Sequence, residues 1–224
     1  MRVAVLFAGG KDSTYAVQMA MKNNQVRYLL TMASKNPHSW MFHTPNVHMT
    51  GYQAEAMGIE QIVRPTSGEK DKELDDLRDA IAGVKAGIDG VVSGAIASSY
   101  QKSRIDKICA ELGLKSIAPL WGKNQAELVR EMINSGLKAI ITSVAAQGFN
   151  EGWLGREIDE NTLGDLVELN RKYGINPAGE GGEYESFVLE APFFKKRVEL
   201  LEVERIWRKT DGYLLIKRAR TVEK

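Results

Sequence analysis

Residues 2–23 read RVAVLFAGGKDSTYAVQMAMKN, and the fold turns on this stretch. RVAVLFA is an apolar run of the length and composition of a buried strand. STYAVQMAMKN follows with helical character, and Ser13 is the expected N-cap. Between them lie Gly9 and Gly10. A glycine pair lets the backbone approach an anion closely and turn its N–H groups toward it. The start of the following helix adds partial positive charge, Lys11 a full charge and Ser13 a hydroxyl. The spacing matches neither G-x-x-x-x-G-K-[ST] nor G-x-G-x-x-G, so this reads as a phosphate turn of another kind.

Downstream the alternation repeats. VRYLLTMAS is a second strand, NVHMTGYQAEAMG a second helix that stops at Gly58, and EQIVRP a short third strand ended by proline. EKDKELDDLRDAIAGVKAG places Leu74, Leu77, Ile81 and Val84 at helical spacing beneath a charged, solvated face. DGVVSGAI, SYQKSRIDKICAELG and KSIAPLW continue as strand, helix and strand. The pattern predicts an α/β fold, a doubly wound five-stranded parallel sheet with helices on both faces. After Trp121 it loosens. NQAELVREMINSG and NTLGDLVELNRKYG are helices, KAIITSVAA is a strand, and RVELLEVERIWRK and YLLIKRAR flank Asp211-Gly212 as a hairpin. We expect a phosphate-binding domain at 1–122 and a smaller α+β substrate domain at 123–224. No linker rich in Pro, Gly or Ser separates them, so they should pack closely.

Composition narrows the class. The chain has 224 residues, 43% apolar and 26% charged, as in a soluble globular protein. Thirty basic against 29 acidic residues leave a net charge of +1, which gives no support to broad nucleic-acid binding. One cysteine, Cys109, permits no internal disulfide and fits a reducing compartment. The first apolar run stops at Gly9, unlike a signal peptide, and no stretch approaches the roughly 20 residues of a membrane helix. The expectation is a cytoplasmic protein with no membrane partner.

A second constellation is GEGGEYESFVLEAPFF, residues 179–194, whose first seven residues hold three glycines and three glutamates. Glu180, Glu183 and Glu185 on one turn repel one another unless a cation sits among them. Magnesium, ammonium or a cationic substrate would serve. Ser98, Ser99, Tyr100, Gln101, Lys102 and Arg104 lie where the fourth strand gives way to its helix, on the ligand side of the sheet. Arg104 is placed to clamp a phosphate or carboxylate. His38, His43 and His48 recur every five residues, which suits neither one helix face nor a usual metal site.

AGGKDS, residues 8–13, resembles the S-G-G-x-D-S pyrophosphate loop of the N-type ATP pyrophosphatases, the PP-loop superfamily. Its members include GMP, NAD and argininosuccinate synthetases and tRNA-modifying adenylating enzymes, on an adenine nucleotide alpha hydrolase-like fold. The resemblance implies ATP cleaved between its α- and β-phosphates, an adenylated substrate, and pyrophosphate held by Ala8, Gly9, Gly10, Lys11 and Ser13. Ala8 departs from the family's usual serine and removes a hydroxyl. Asp12 either binds Mg²⁺ or caps the helix. Ser93 and Gly94 would contact the nucleotide, and His43, after the second strand, the adenosine.

The glutamate run, with SGAIASSYQKSRIDKICAELGL (93–114), APLWG (118–122) and MFHTPN (41–46), is similar to the diphthine–ammonia ligase family over essentially the whole chain. That resemblance implies amidation of diphthine, a modified histidine of translation elongation factor 2, by ammonium and ATP, giving diphthamide, AMP and pyrophosphate. Substrate contacts would come from Ser98, Tyr100, Gln101, Arg104, Trp121, Gly181, Gly182 and Tyr184. Trp121, Tyr184 and Tyr100 are candidates for an aromatic box around the trimethylammonium of diphthine. Lys11, Asp12 and Ser13 would act on the phosphates, and Glu180, Glu183 or Glu185 would bind ammonium and take its proton. The short chain suggests an archaeal member. Two other readings stand beside this one: a tRNA-modifying PP-loop enzyme, and an ATP-binding regulatory module without chemistry. One cysteine is too few for a Cys-x-x-Cys sulfur carrier, so no tRNA partner is expected. The oligomeric state is open, a homodimer included.

Overall fold

The computed structural model describes residues 1–34, 45–69 and 72–224. Its first half runs β1 (Arg2–Leu6), α1 (Lys11–Met21), β2 (Gln25–Ser34), α2 (Thr50–Met57), β3 (Glu60–Thr66), α3 (Lys72–Ala82), β4 (Gly90–Val92), α4 (Ser99–Glu111) and β5 (Lys115–Ile117). The five strands form one parallel sheet in the order β3-β2-β1-β4-β5. Strand side chains alternate between faces. Val3 and Val5 of β1 therefore join one apolar cluster with α1 and α2, while Ala4 joins the other with α3 and α4. The chain leaves β1 for β2 on one side and returns to β4 on the other. The switch point thus opens a crevice between the carboxyl ends of β1 and β4, where doubly wound sheets bind ligands. Pro65 does not end β3 as expected. The strand runs to Thr66, because an edge strand tolerates a missing donor on its open side.

The second half runs α5 (Gln125–Asn134), β6 (Lys138–Val144), α6 (Glu160–Tyr173), β7 (Tyr184–Glu190), β8 (Lys196–Arg208) and β9 (Asp211–Glu223). These strands form an antiparallel sheet in the order β7-β6-β9-β8. The β8–β9 turn differs from expectation. Arg208 pairs with Asp211 and Trp207 with Gly212, so Lys209 and Thr210 make the turn and Asp211-Gly212 begins the strand. Gly212 is needed for space: a Cβ there would lie 2.5 Å from the Trp207 ring.

The two sheets share one core. Leu128, Val129 and Met132 of α5, Leu163 and Leu166 of α6, and Phe187 and Val188 of β7 belong to the same buried cluster as Val3, Tyr15 and Val17. Each such side chain contributes roughly 1.5–3 kcal/mol when fully buried, so apolar contact holds the halves together. Two buried amides fix their register. Asn46 donates to the Leu214 carbonyl at 2.8 Å and accepts from the Ile216 N–H at 2.8 Å, engaging β9 as a neighbouring strand would. Gln53 donates to the carbonyls of Gly9 and Val188, at 2.8 and 2.7 Å. Among the described residues no helix is long and apolar enough to cross a membrane.

Candidate active site

Helix α1 starts three residues earlier than the sequence suggests. Gly10, not Ser13, is its N-cap, and no side chain caps it. Lys11, Asp12 and Ser13 are therefore its first three residues, whose N–H groups have no partner within the helix. The Lys11 N–H is taken by the Ser186 hydroxyl at 3.1 Å. Ser13 turns inward: its hydroxyl donates to the Gly10 carbonyl at 3.1 Å and accepts from the Ala8 N–H at 3.4 Å. It braces the turn it belongs to. Gly9 adopts φ +81°, and a Cβ there would meet the Gln53 amide at 2.5 Å. Gly94, at the end of β4, backs onto α1; a Cβ would come within 2.9 Å of the Asp12 carbonyl carbon and the Ser13 nitrogen. Behind it Ser93 is buried, its N–H bonded to the Ile117 carbonyl.

Lys11 is buried in the seam between the halves. Its ammonium bonds to Asp12 at 2.9 Å and to the Ala178 carbonyl at 2.5 Å, and it stands 4.9 Å from the Tyr184 ring centroid. Burial alone would lower its pKa, but Asp12, Tyr184 and Glu185 outweigh that and raise it, so Lys11 keeps its charge. Asp12 is not a helix cap. One carboxylate oxygen holds Lys11, and the other is buried without a partner. Burial lifts the Asp12 carboxyl above its ordinary range against the pull of Lys11.

The glutamates of residues 179–185 do not need a shared cation, because the chain separates them. One oxygen of Glu180 accepts three backbone N–H groups, from Ile96, Ala97 and Ser98, at 2.8, 2.7 and 2.9 Å. Ser98 itself caps α4, accepting from the Gln101 N–H. Glu183 accepts from the Asn176 N–H at 2.8 Å, and its carboxylate fills the space where a side chain on Gly181 would stand. Glu185 alone carries no hydrogen bond or ion pair among the described residues and borders the cleft. Burial pushes its carboxyl up to about 7, Lys11 pulling down and Asp12 pushing further up. Tyr184 is buried, donates to the Pro177 carbonyl at 2.9 Å and has its phenol pushed up to about 12 by burial.

These parts surround one cleft of about 460 Å³. It brings together Ala8, Gly10, Lys11, Asp12 and Ser13 with Ser93, Gly94 and Gln101, and with Glu180, Gly181, Gly182, Tyr184 and Glu185. Gly9 and Glu183 stand behind this wall. Arg104 lies over the Tyr100 ring at 3.4 Å and donates to its carbonyl, so neither borders the cleft. Trp121 is 38% exposed, with the Lys102 ammonium 5.5 Å over its ring. Each aromatic considered for a box thus already faces a cation of the chain, and of the three only Tyr184 borders the cleft. His48 meets the Ile216 carbonyl at 3.1 Å. His38 and His43 lie outside the described residues. Cys109 is buried in α4, where burial pushes its thiol to about 11.

Sequence reasoning missed three groups. Gln53 and Ser186 lock the turn of residues 8–13. Leu6, Leu30, Met32 and Ile105 give the cleft an apolar wall beside the ends of β1 and β2. Nothing marked the first two, since a single long-range bond leaves no periodic signal. The wall residues read as ordinary strand and helix core.

Comparison with known proteins agrees with this geometry. The family described as diphthamide synthase N-terminal domain matches residues 1–116, and the diphthamide synthase C-terminal domain family matches residues 124–222. The diphthine–ammonia ligase of Mus musculus is 37% identical over 95% of this chain and 88% of its own length. That of Homo sapiens is 34% identical over 100% and 91%. With vertebrate relatives so close in span, chain length does not single out an archaeal member. A solved structure titled as a predicted subunit of tRNA methyltransferase from Methanocaldococcus jannaschii aligns at TM-score 0.44 and 16% identity over 86% of this chain and 98% of that one, too distant to bear on function. Full-length likeness and two matched domains together place the chain in the diphthine–ammonia ligase family, and it is a ligase of diphthamide synthesis.

Proposed function

We propose that this protein amidates the diphthine carboxylate of translation elongation factor 2 with ammonium, through an acyl-adenylate, releasing AMP and pyrophosphate in the cytoplasm. The observation that carries the reading is the meeting of two turns, residues 8–13 and 179–185, around one cleft. A carboxylate does not react with ammonia at neutral pH, since oxide would have to leave. Its attack on the α-phosphorus of ATP converts that oxygen into part of AMP, and pyrophosphate departs with growing negative charge. The first turn of α1 and the retained charge of Lys11 would stabilise that charge. The apolar wall of Leu30, Met32 and Ile105 suits the adenine ring.

Magnesium fits as a partner of the phosphates. Among the described residues no three His, Cys, Asp or Glu gather to hold a metal, but one buried oxygen of Asp12 lacks a partner. Magnesium commonly takes one or two carboxylates and otherwise phosphate and water oxygens, so Asp12 would hold it. Once bound it would neutralise phosphate charge. With Lys11 tied to Asp12, this chain places a cation and a carboxylate side by side at the helix start.

The test is reconstitution from protein, ATP, ammonium and diphthine-bearing elongation factor 2. AMP, pyrophosphate and amidated factor should form in equal amounts, and only from the complete mixture. AMP that depends on tRNA would instead support a tRNA-modifying enzyme. ATP binding without turnover would support a regulatory module.

A further inference from the structure

Of the three glutamates in residues 179–185, two are committed to the fold. One oxygen of Glu180 is held by three N–H groups, and one oxygen of Glu183 by Asn176, its other oxygen being buried against Gly181 without a partner, away from the cleft lining. Glu185 is the third, and its surroundings differ. It borders the cleft, makes no hydrogen bond or ion pair among the described residues, and is not closed off from the cavity. Its neighbours in β7 are pinned on both sides. Tyr184 donates to Pro177, and Ser186 receives the Lys11 N–H. The Glu185 backbone is therefore fixed against the phosphate turn while its carboxylate stays uncommitted.

The charges around it favour a small cation. From α1, Lys11 and Asp12 face it; from its own strand, Tyr184 adjoins it, and Ser143 of β6 pairs with it across the ladder. The Lys11 charge is already answered by Asp12 and by the Ala178 carbonyl. Glu185 then adds a negative charge that no hydrogen bond or ion pair among the described residues answers, beside the turn where an acyl-adenylate would form.

We propose that Glu185 is the carboxylate that receives ammonium in this cleft and takes the proton that frees its lone pair. The inference rests on the acyl-adenylate reading above and assigns one residue within it. In the step, an N–H bond of ammonium breaks and its proton passes to a Glu185 oxygen. The nitrogen lone pair forms a C–N bond with the acyl carbon, the C–O bond to AMP breaks, and its electrons leave on the phosphate. A second nitrogen proton goes to solvent, giving the neutral amide.

Hydroxylamine provides the test, because it is already neutral near pH 7 and needs no base to become a nucleophile. Full-length Glu185→Gln and parent are compared with diphthine-bearing elongation factor 2, ATP, and either ammonium chloride or hydroxylamine. We expect kcat/KM for ammonium to fall about 100-fold, while hydroxamate formation stays within about threefold of parent. Unchanged ammonium kinetics in the variant would overturn the proposal. So would parallel loss of both reactions, which would make Glu185 necessary for adenylation instead. If the parent itself forms neither AMP nor hydroxamate, the acyl-adenylate reading fails and takes this assignment with it. Thermal unfolding confirms that the variant is folded. Should it not be, Glu185→Asp carries the same comparison, with KM for ammonium raised at least fivefold expected and an unchanged KM overturning.

Discussion

Two glycine-rich turns line the cleft and use their backbones in opposite ways. In residues 8–13 the glycines bring a helix start to the cleft, where the Ala8 and Lys11 N–H groups are taken by Ser13 and Ser186. In residues 179–185 Gly181 makes room for the Glu183 carboxylate and Gly179 for the Tyr184 ring, and two of the three carboxylates accept N–H groups of the chain. On the proposed reading one turn offers donors to a ligand, while the other supplies acceptors that hold the fold. Similar composition therefore gives different jobs, and the deciding factor is which side of each turn faces a partner within the protein.

The contrast is sharpest at Lys11, which belongs to the first turn but is bound like a residue of the second. Lys11→Ala should slow pyrophosphate formation about 100- to 1000-fold. It should also cost about 1–2 kcal/mol of stability, because it leaves the half-buried Asp12 without its cation. Quenched-flow measurement of pyrophosphate and urea unfolding read the two effects separately. A large rate loss with unchanged stability would mean that the Lys11 charge serves only the ligand, and the two turns would be more alike than the structure implies.

Glu180 gives the next largest effect. Glu180→Ala strands the N–H groups of Ile96, Ala97 and Ser98 and should cost about 2 kcal/mol in urea unfolding. Glu180→Gln keeps an acceptor oxygen and should cost less than about 1 kcal/mol. Equal costs for the two variants would show that charge, not the acceptor, holds the turn after β4.

How much of this was legible follows the range of the forces involved. The order of β1 to β5 and the place of the cleft come from local periodicity and from glycine at a strand end, both written in contiguous residues. The N-cap was misplaced at Ser13 because a serine before an apolar run is the usual signal, whereas here its hydroxyl turns back to Gly10. The hairpin was misplaced at Asp211-Gly212 because that pair is the commonest turn signal, whereas here the glycine accommodates the Trp207 ring. The glutamate run was recognisable as unusual, but its division of labour was not. Glu180 meets residues 96–98 only after the second half of the chain folds onto the first, and no short pattern encodes that pairing.

The smallest effect separates Glu185 from its two neighbours. Its carboxyl is lifted from the ordinary 4.5 to about 7, chiefly by burial. A folded carboxyl that holds its proton more tightly than the unfolded one stabilises the fold at low pH. That contribution is complete below about pH 4.5 and disappears as pH rises to about 7. In this window the folded state binds more protons, so stability falls with rising pH. Glu185→Gln removes the titration, so its stability relative to parent should rise between those pH values and then level off. The full shift would correspond to more, but the carboxylate opens onto a wet cleft, so about 1–2 kcal/mol is expected. Urea unfolding of both proteins at pH 4, 5, 6, 7 and 8 reads the difference directly. A difference independent of pH would mean that Glu185 is solvated like a surface residue, and all three glutamates of the second turn would then be structural or solvent-facing, with none reserved for a ligand.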